Sequence, residues 1–148
     1  KRGKNDERET LINNLIKKFP SINYNFLGLA NESPKWNYSY FNELLKCKMA
    51  LNLSRGNPLK YTSSNRIATL IGNGIYTFID VKTKYGDFFN ENEIGTYSSI
   101  DELGKKIENL KINPKKINEF GKAGKIKYFK LFNNTKITKE IISKIYLQ

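Results

Sequence analysis

The chain has 148 residues, which fits one domain with a real core and leaves little room for a second. Hydrophobic residues make up 39% and charged residues 27%, as in soluble globular proteins, and no apolar run approaches the ~18 residues of a transmembrane helix. One cysteine and no histidine exclude an internal disulfide, a multi-cysteine metal site and histidine-dependent catalysis.

The net charge of +12 indicates a polyanionic partner: nucleic acid, an anionic membrane surface or a phosphorylated ligand. However, lysine supplies 22 of the 26 basic residues and arginine only four. Arginine is the side chain suited to bidentate phosphate and base contacts. Lysine, asparagine and isoleucine together supply 58 residues, the composition expected of an AT-rich coding sequence. Most of the charge is therefore interpreted as compositional, and a basic nucleic-acid-binding α/β module is kept as the alternative function.

Local patterns predict the following elements in chain order. The first half contains a helix ending near Lys18, a strand over 22–28, a helix over 38–46, a strand over 48–53 and a loop over 54–63. The second half contains a helix from Ser64 or Asn65 to a glycine turn at 72–74, strands over 75–79 and 93–97, and a turn or short helix at 85–89 between them. Three helices then cover 100–110, 114–132 and 135–147, the first opened by Ser99. This alternation predicts an α/β fold, a Rossmann-like parallel sheet with flanking helices.

Ligands of such sheets bind beyond the carboxyl ends of the strands, so the loop over 54–63 and the helix start after it are the main candidates. This region contains Ser54, Arg55, Ser63, Ser64, Asn65 and Arg66. Hydroxyls and backbone N–H groups at a helix start can bind phosphate oxygens, while arginine supplies positive charge. From the residues alone, a solvated loop with an ordinary serine cap fits equally well. No GxGxxG or P-loop motif is present.

The run from Lys48 to Asp80 resembles glycosyltransferases of the GT-B fold, and most of all the family-1-like group that includes the CgeB spore-maturation proteins. The resemblance is carried by these pieces: Asn52-Leu53-Ser54-Arg55, Arg66, Gly72-Asn73-Gly74, Ile75 to Asp80, Glu93 to Tyr97, Asp101-Glu102-Leu103 and Phe120 to Gly124. Together they span about 100 residues.

The resemblance implies the donor-binding, C-terminal half of a two-domain, metal-independent glycosyltransferase that needs no cofactor. It implies that Ser54 and Arg55 lie near a nucleotide-sugar donor, and that Ser63, Ser64, Asn65 and Arg66 meet its diphosphate or ribose. Arg55 and Arg66 would neutralise the phosphates. Many relatives have a ribose-binding glutamate where this chain has Ile67, Ala68 and Thr69. The ribose contact then falls to Asn65, Thr69 or another segment.

The resemblance also implies a saccharide acceptor and a missing N-terminal acceptor domain, which usually contributes the catalytic base. Residues 1–148 are expected to form one domain of a longer, cytoplasmic enzyme. The lysine-rich face of 115–130 indicates either a peripheral contact at the inner face of the membrane or a solvated surface. Nucleic acid is not the expected partner, and a receiver-like regulatory domain is the last alternative.

Overall fold

The computed structural model describes residues 7–27, 33–54 and 56–146. Its helices are α1 (Glu7–Lys18), α2 (Asn37–Lys46), α3 (Asn65–Gly72), α4 (Ile100–Lys111), α5 (Pro114–Phe132) and α6 (Asn134–Tyr146). Its strands are β1 (Met49–Asn52), β2 (Tyr76–Asp80) and β3 (Gly95–Tyr97), and the 3-10 helices Val81–Thr83 and Tyr85–Asp87 follow β2.

The three strands form one parallel sheet in the order β1-β2-β3. In the central strand, Phe78 is paired with Leu51 on one side and with Gly95 on the other. Helices connect β1 to β2 and follow β3. The predicted Rossmann-like α/β fold is therefore confirmed.

The core lies on both faces of β2, whose residues 76–79 are all buried. Tyr76 and Phe78 pack on one face against α1, α4 and the start of α5. Ile79 packs on the other face against α3, the second 3-10 helix and the residue before β3. Because both faces of the sheet are covered, the strand is almost continuously apolar, as parallel strands usually are.

The predicted strand over 22–28 is wrong for residues 22–27, and Gly28 lies outside the described residues. The alternation itself is real, since Ile22, Tyr24 and Phe26 are half-buried while the residues between them are exposed. Instead of pairing with a strand, this segment makes side-chain hydrogen bonds to α1, to the residue after it, and to α2. The Tyr24 hydroxyl donates to the Phe19 carbonyl at 2.9 Å, and the Asn25 amide donates to Glu43 on α2 at 3.3 Å.

The predicted helix starts at Ser64 and Ser99 are confirmed. Each serine accepts a backbone N–H from the first turn, that of Ile67 or Glu102. The predicted final helix is also present, as α6, and its apolar side chains are exposed.

Glu102 makes the start of α4 sensitive to pH. Its carboxylate accepts the backbone N–H and the hydroxyl of Ser98, at 2.9 and 2.6 Å, and pairs with Lys106 at 3.0 Å. These bonds lower the pKa of Glu102 to about 2. Because the folded pKa lies below the ordinary 4.5, the stabilisation is complete above about pH 4.5 and is lost as the pH falls toward 2.

We therefore expect Glu102→Gln to lower the urea midpoint at neutral pH, with the difference from the unsubstituted protein vanishing as the pH falls from 4.5 toward 2. Urea unfolding across this range checks the expectation. Glu119→Gln, the same charge change at an exposed position on α5, is the control. A difference that persisted undiminished at the acid end would contradict the role of the Glu102 carboxylate.

Candidate functional site

The candidate site lies where β1 ends and α3 begins. The chain leaves β1 at Asn52, crosses the loop and enters α3 at Asn65, whose helix packs on β1 and β2. The loop is tied to the end of β2, because the Tyr61 N–H donates to the Thr83 carbonyl at 2.8 Å and the Tyr61 hydroxyl donates to Asp87 at 2.7 Å. These contacts bring the loop to the carboxyl edge of the sheet.

Arg66 joins the first turn of α3 to the end of β1. Its Nη1 donates to the Leu53 carbonyl at 2.9 Å. The residue as a whole is exposed, but its guanidinium is partly withdrawn from water. This desolvation and the nearby positive charge of Arg8 lower the pKa of Arg66, while Tyr40 acts in the opposite direction. An arginine nonetheless stays protonated at neutral pH, so Arg66 holds a positive charge at the start of α3.

Arg8 and Arg66 both line a cleft of about 920 Å³ beside the outer edge of β1. Segment 21–27 and helices α1, α2, α4 and α5 contribute its other walls. The lining includes the aromatic side chains of Tyr24, Phe26 and Tyr40. The cleft therefore combines two guanidinium groups with apolar and aromatic surface, which suits a ligand that carries phosphate and a ring.

Asn52 provides a second polar feature at the end of β1. The residue is 5% exposed, and its Oδ1 is buried with no hydrogen-bond partner among the described residues. It shares a strand face with Ala50, which packs against the cluster of Leu44, Leu70 and Ile75. A buried acceptor without a donor costs about 1–3 kcal/mol. Asn52 therefore places, at the end of β1, an acceptor that the described residues leave unsatisfied.

The residues predicted for the site fall into different environments. Ser64 uses its hydroxyl as the cap of α3, and the Thr69 hydroxyl donates to the Asn65 carbonyl at 2.8 Å. Ser63 is exposed and Ser54 is half-buried just beyond β1. Ser54, Ser63, Ser64, Asn65, Arg66 and Thr69 thus lie on the β1–α3 connection or in α3, while Arg55 lies outside the described residues.

Two residues were not predicted: Arg8, which lines the cleft, and Asn52, which is buried at the end of β1 and does not line it. The first belongs to α1 and reaches the site only through tertiary structure. The second is part of the motif that carries the resemblance, and a polar residue inside the apolar run 49–53 is the signal that could have identified it.

Asp80 caps the 3-10 helix after β2, accepting the Lys82 N–H at 2.8 Å. Across 7–27, 33–54 and 56–146, no three acidic or cysteine side chains cluster so as to hold a metal ion. None of the helices in these ranges is both long and apolar enough to cross a membrane.

Comparison with known families identifies the class of protein. A family model described as "Glycosyl transferase-like" matches residues 7–143, which is nearly the whole chain. The chain belongs to this family, of the GT-B family 1 type. Searches of curated proteins and of solved structures gave no match. The narrower resemblance to the CgeB-like group stays a prediction.

Proposed function

We propose that this domain binds the nucleotide-sugar donor of a GT-B glycosyltransferase, with the donor's diphosphate at Arg66 and Arg8. The observation that carries the proposal is the Arg66 guanidinium, which donates to the Leu53 carbonyl and lines the same cleft as Arg8. The negative charge of a diphosphate would be attracted to both guanidinium groups, and the aromatic lining of the cleft would accept the base or sugar.

The same charges would assist the chemical step. When the sugar leaves the donor, negative charge grows on the diphosphate, and fixed cations stabilise it without reorganisation. This mechanism requires no metal. Ser54, Ser63 and Asn65 would complete the phosphate and ribose contacts from the loop and the helix start, and Arg55 belongs to the same proposal.

The proposal covers the donor half of the reaction. The acceptor would be a saccharide, held by an N-terminal domain that also supplies the catalytic base, in a cytoplasmic enzyme. Residues 1–148 would then be the C-terminal domain of that enzyme.

Calorimetric titration with UDP, GDP, ADP and CMP at ~150 mM salt tests the proposal, with a short DNA duplex as the polyanion control. We expect saturable binding of one nucleotide in preference to the others. Binding to DNA alone, falling steeply with salt, would instead support the nucleic-acid alternative.

The buried Asn52 gives a prediction that separates binding from folding. We expect Asn52→Leu, which keeps the branched arrangement of heavy atoms, to leave the free energy of unfolding unchanged or higher, because the unpaired Oδ1 is removed. Affinity for the preferred nucleotide should fall about tenfold, since a donor group of the ligand loses its acceptor. Urea unfolding and calorimetry measure the two quantities.

Thr77→Val is the matched control, because it also removes a buried polar group but lies in the middle of β2. The Thr77 hydroxyl donates to the Ile75 carbonyl at 2.8 Å, so this variant should lose stability and keep its affinity. If Asn52→Leu behaved in the same way, Asn52 would be a structural residue and no part of the site.

A further inference from the structure

Glu43 is the one acidic side chain among the described residues that line the cleft. It belongs to α2 and lies three residues after Tyr40, so the two side chains share one face of the helix, and both line the cleft. The guanidinium groups of Arg8 and Arg66 line the same cleft. The cleft therefore combines cations that attract phosphate with a carboxylate that repels it.

Three donors hold the Glu43 carboxylate in place, and its side chain is 20% exposed. Its Oε1 pairs with Lys35 at 3.0 Å and with Lys46 at 3.1 Å. Its Oε2 accepts the Asn25 amide at 3.3 Å. These hydrogen bonds, first those of the two lysines and then that of the amide, lower the pKa of Glu43 to about 2. At neutral pH the group is a carboxylate, which accepts hydrogen bonds and donates none.

The Oε2 atom of Glu43 can accept a further hydrogen bond. A carboxylate oxygen has two acceptor sites, and the Asn25 amide uses one of them at a distance beyond the usual range. A ligand group that binds the other site must donate, which the oxygens of an ionised diphosphate cannot do. A ribose hydroxyl can, and acidic side chains accept ribose hydroxyls in other nucleotide-binding parallel sheets.

Helix α3 offers no carboxylate for such a contact. Its residues 65–72 include no acidic side chain, and the Thr69 hydroxyl donates to the Asn65 carbonyl at 2.8 Å. A carboxylate acceptor therefore comes from another wall of the cleft. Among the described lining residues, that wall is α2 and the residue is Glu43.

We propose that Glu43 accepts a hydrogen bond from a ribose hydroxyl of the donor nucleotide, while the diphosphate lies at Arg8 and Arg66. This inference rests on the proposed function and names the residue that recognises the ribose. Each charged group of the cleft then meets the part of the ligand that suits it, since the cations meet the phosphates and the carboxylate meets a hydroxyl. Tyr40, on the same face of α2, would border the nucleoside.

Calorimetry with deoxynucleotides tests this contact. The probes are whichever of UDP, GDP, ADP and CMP binds most tightly, together with its 2′-deoxy and 3′-deoxy forms. We expect the unsubstituted chain to bind at least one deoxy form about tenfold more weakly, the effect of losing a hydrogen bond to a charged group. In Glu43→Met the ribonucleotide should lose about tenfold while that deoxy form loses nothing, so the preference for ribose disappears.

Two further variants separate recognition of ribose from support of the cleft wall. Glu43→Gln keeps one acceptor oxygen and should retain part of the preference, and it carries the test if Glu43→Met fails to fold. Lys35→Gln breaks the shortest ion pair of Glu43 but leaves the carboxylate, so it should keep the whole preference. Urea midpoints check that each variant is folded.

The outcomes distinguish this inference from the proposed function. Equal affinity of the unsubstituted chain for all three forms would overturn the role of Glu43 and leave the donor site standing. A preference that survives in Glu43→Met, or that Lys35→Gln also abolishes, would show that Glu43 only supports the wall of the cleft. If none of the four ribonucleotides bound, the proposed function would fail and this inference with it.

Discussion

Arg66→Ala is expected to lower the affinity for the preferred nucleotide about 10- to 100-fold, the range for loss of a hydrogen bond to a charged group. The side chain supplies both a positive charge and a fixed fork of donors. One donor is already committed to the Leu53 carbonyl at 2.9 Å, which orients the others. Calorimetry on the variant measures the change, and its urea midpoint checks that the fold survives.

Two further variants make this result specific. Arg66→Lys keeps the charge and loses the fork, so its affinity should fall between those of the unsubstituted protein and Arg66→Ala. Lys105→Ala removes a positive charge from the exposed surface of α4 and should leave affinity unchanged. Unchanged affinity in Arg66→Ala would remove Arg66 from the donor site.

Gly121→Ala is expected to destabilise the fold by about 3 kcal/mol or more. A Cβ at this position would lie well inside van der Waals contact of the Gly74 carbonyl oxygen, and 3.2 Å from the Tyr76 nitrogen. Both atoms belong to backbone, so neither can rotate away. Helix α5 would have to move off the start of β2. The higher helix propensity of alanine would offset up to about 1 kcal/mol of this destabilisation. Urea unfolding measures the net change in the free energy of unfolding.

Gly72→Ala is the matched control, since its Cβ would meet only Phe129 at 3.9 Å, an ordinary contact. This variant should stay within about 0.5 kcal/mol of the unsubstituted protein. Comparable stability of Gly121→Ala and Gly72→Ala would contradict the close approach of α5 to the turn before β2.

The parts of the fold that depend on local chemistry were predictable from the sequence. Ser64 and Ser99 start helices because a serine hydroxyl accepts an N–H of its own first turn, and this interaction spans only three residues. Whether segment 22–27 pairs with a strand could not be predicted in the same way. Its alternation correctly indicated which side chains are half-buried, but pairing also needs the segment to lie against a strand edge, which is a non-local property.

The glycines of α5 show the same limit. From the sequence, Gly121 and Gly124 only weaken a helix. In the structure they let α5 approach two other backbone segments, since a Cβ at Gly124 would collide with the Glu93 carbonyl. Helix propensity predicts that a glycine destabilises the helix. Only the tertiary structure shows why a glycine is needed at these two positions.

Only the loop and helix start of the candidate site could be predicted from the sequence. Arg66 and Ser64 lie within the loop and helix start that the pattern indicated. Arg8 is separated from Arg66 by more than fifty residues, and no local pattern connects them. Asn52 lies in the quoted motif, but only its burial and its unpaired Oδ1 give it a role.

The central claim is that a nucleoside diphosphate binds where β1 ends and α3 begins. Changes in the amide chemical shifts of the ¹⁵N-labelled chain, recorded during titration with the preferred nucleotide, test this claim most directly. We expect saturable shifts concentrated in residues 52–54 and 63–66 and around Arg8, with α5 and α6 unaffected. Shifts that followed the lysines of α5 instead, and vanished with added salt, would contradict the claim and indicate general attraction of anions to a basic surface.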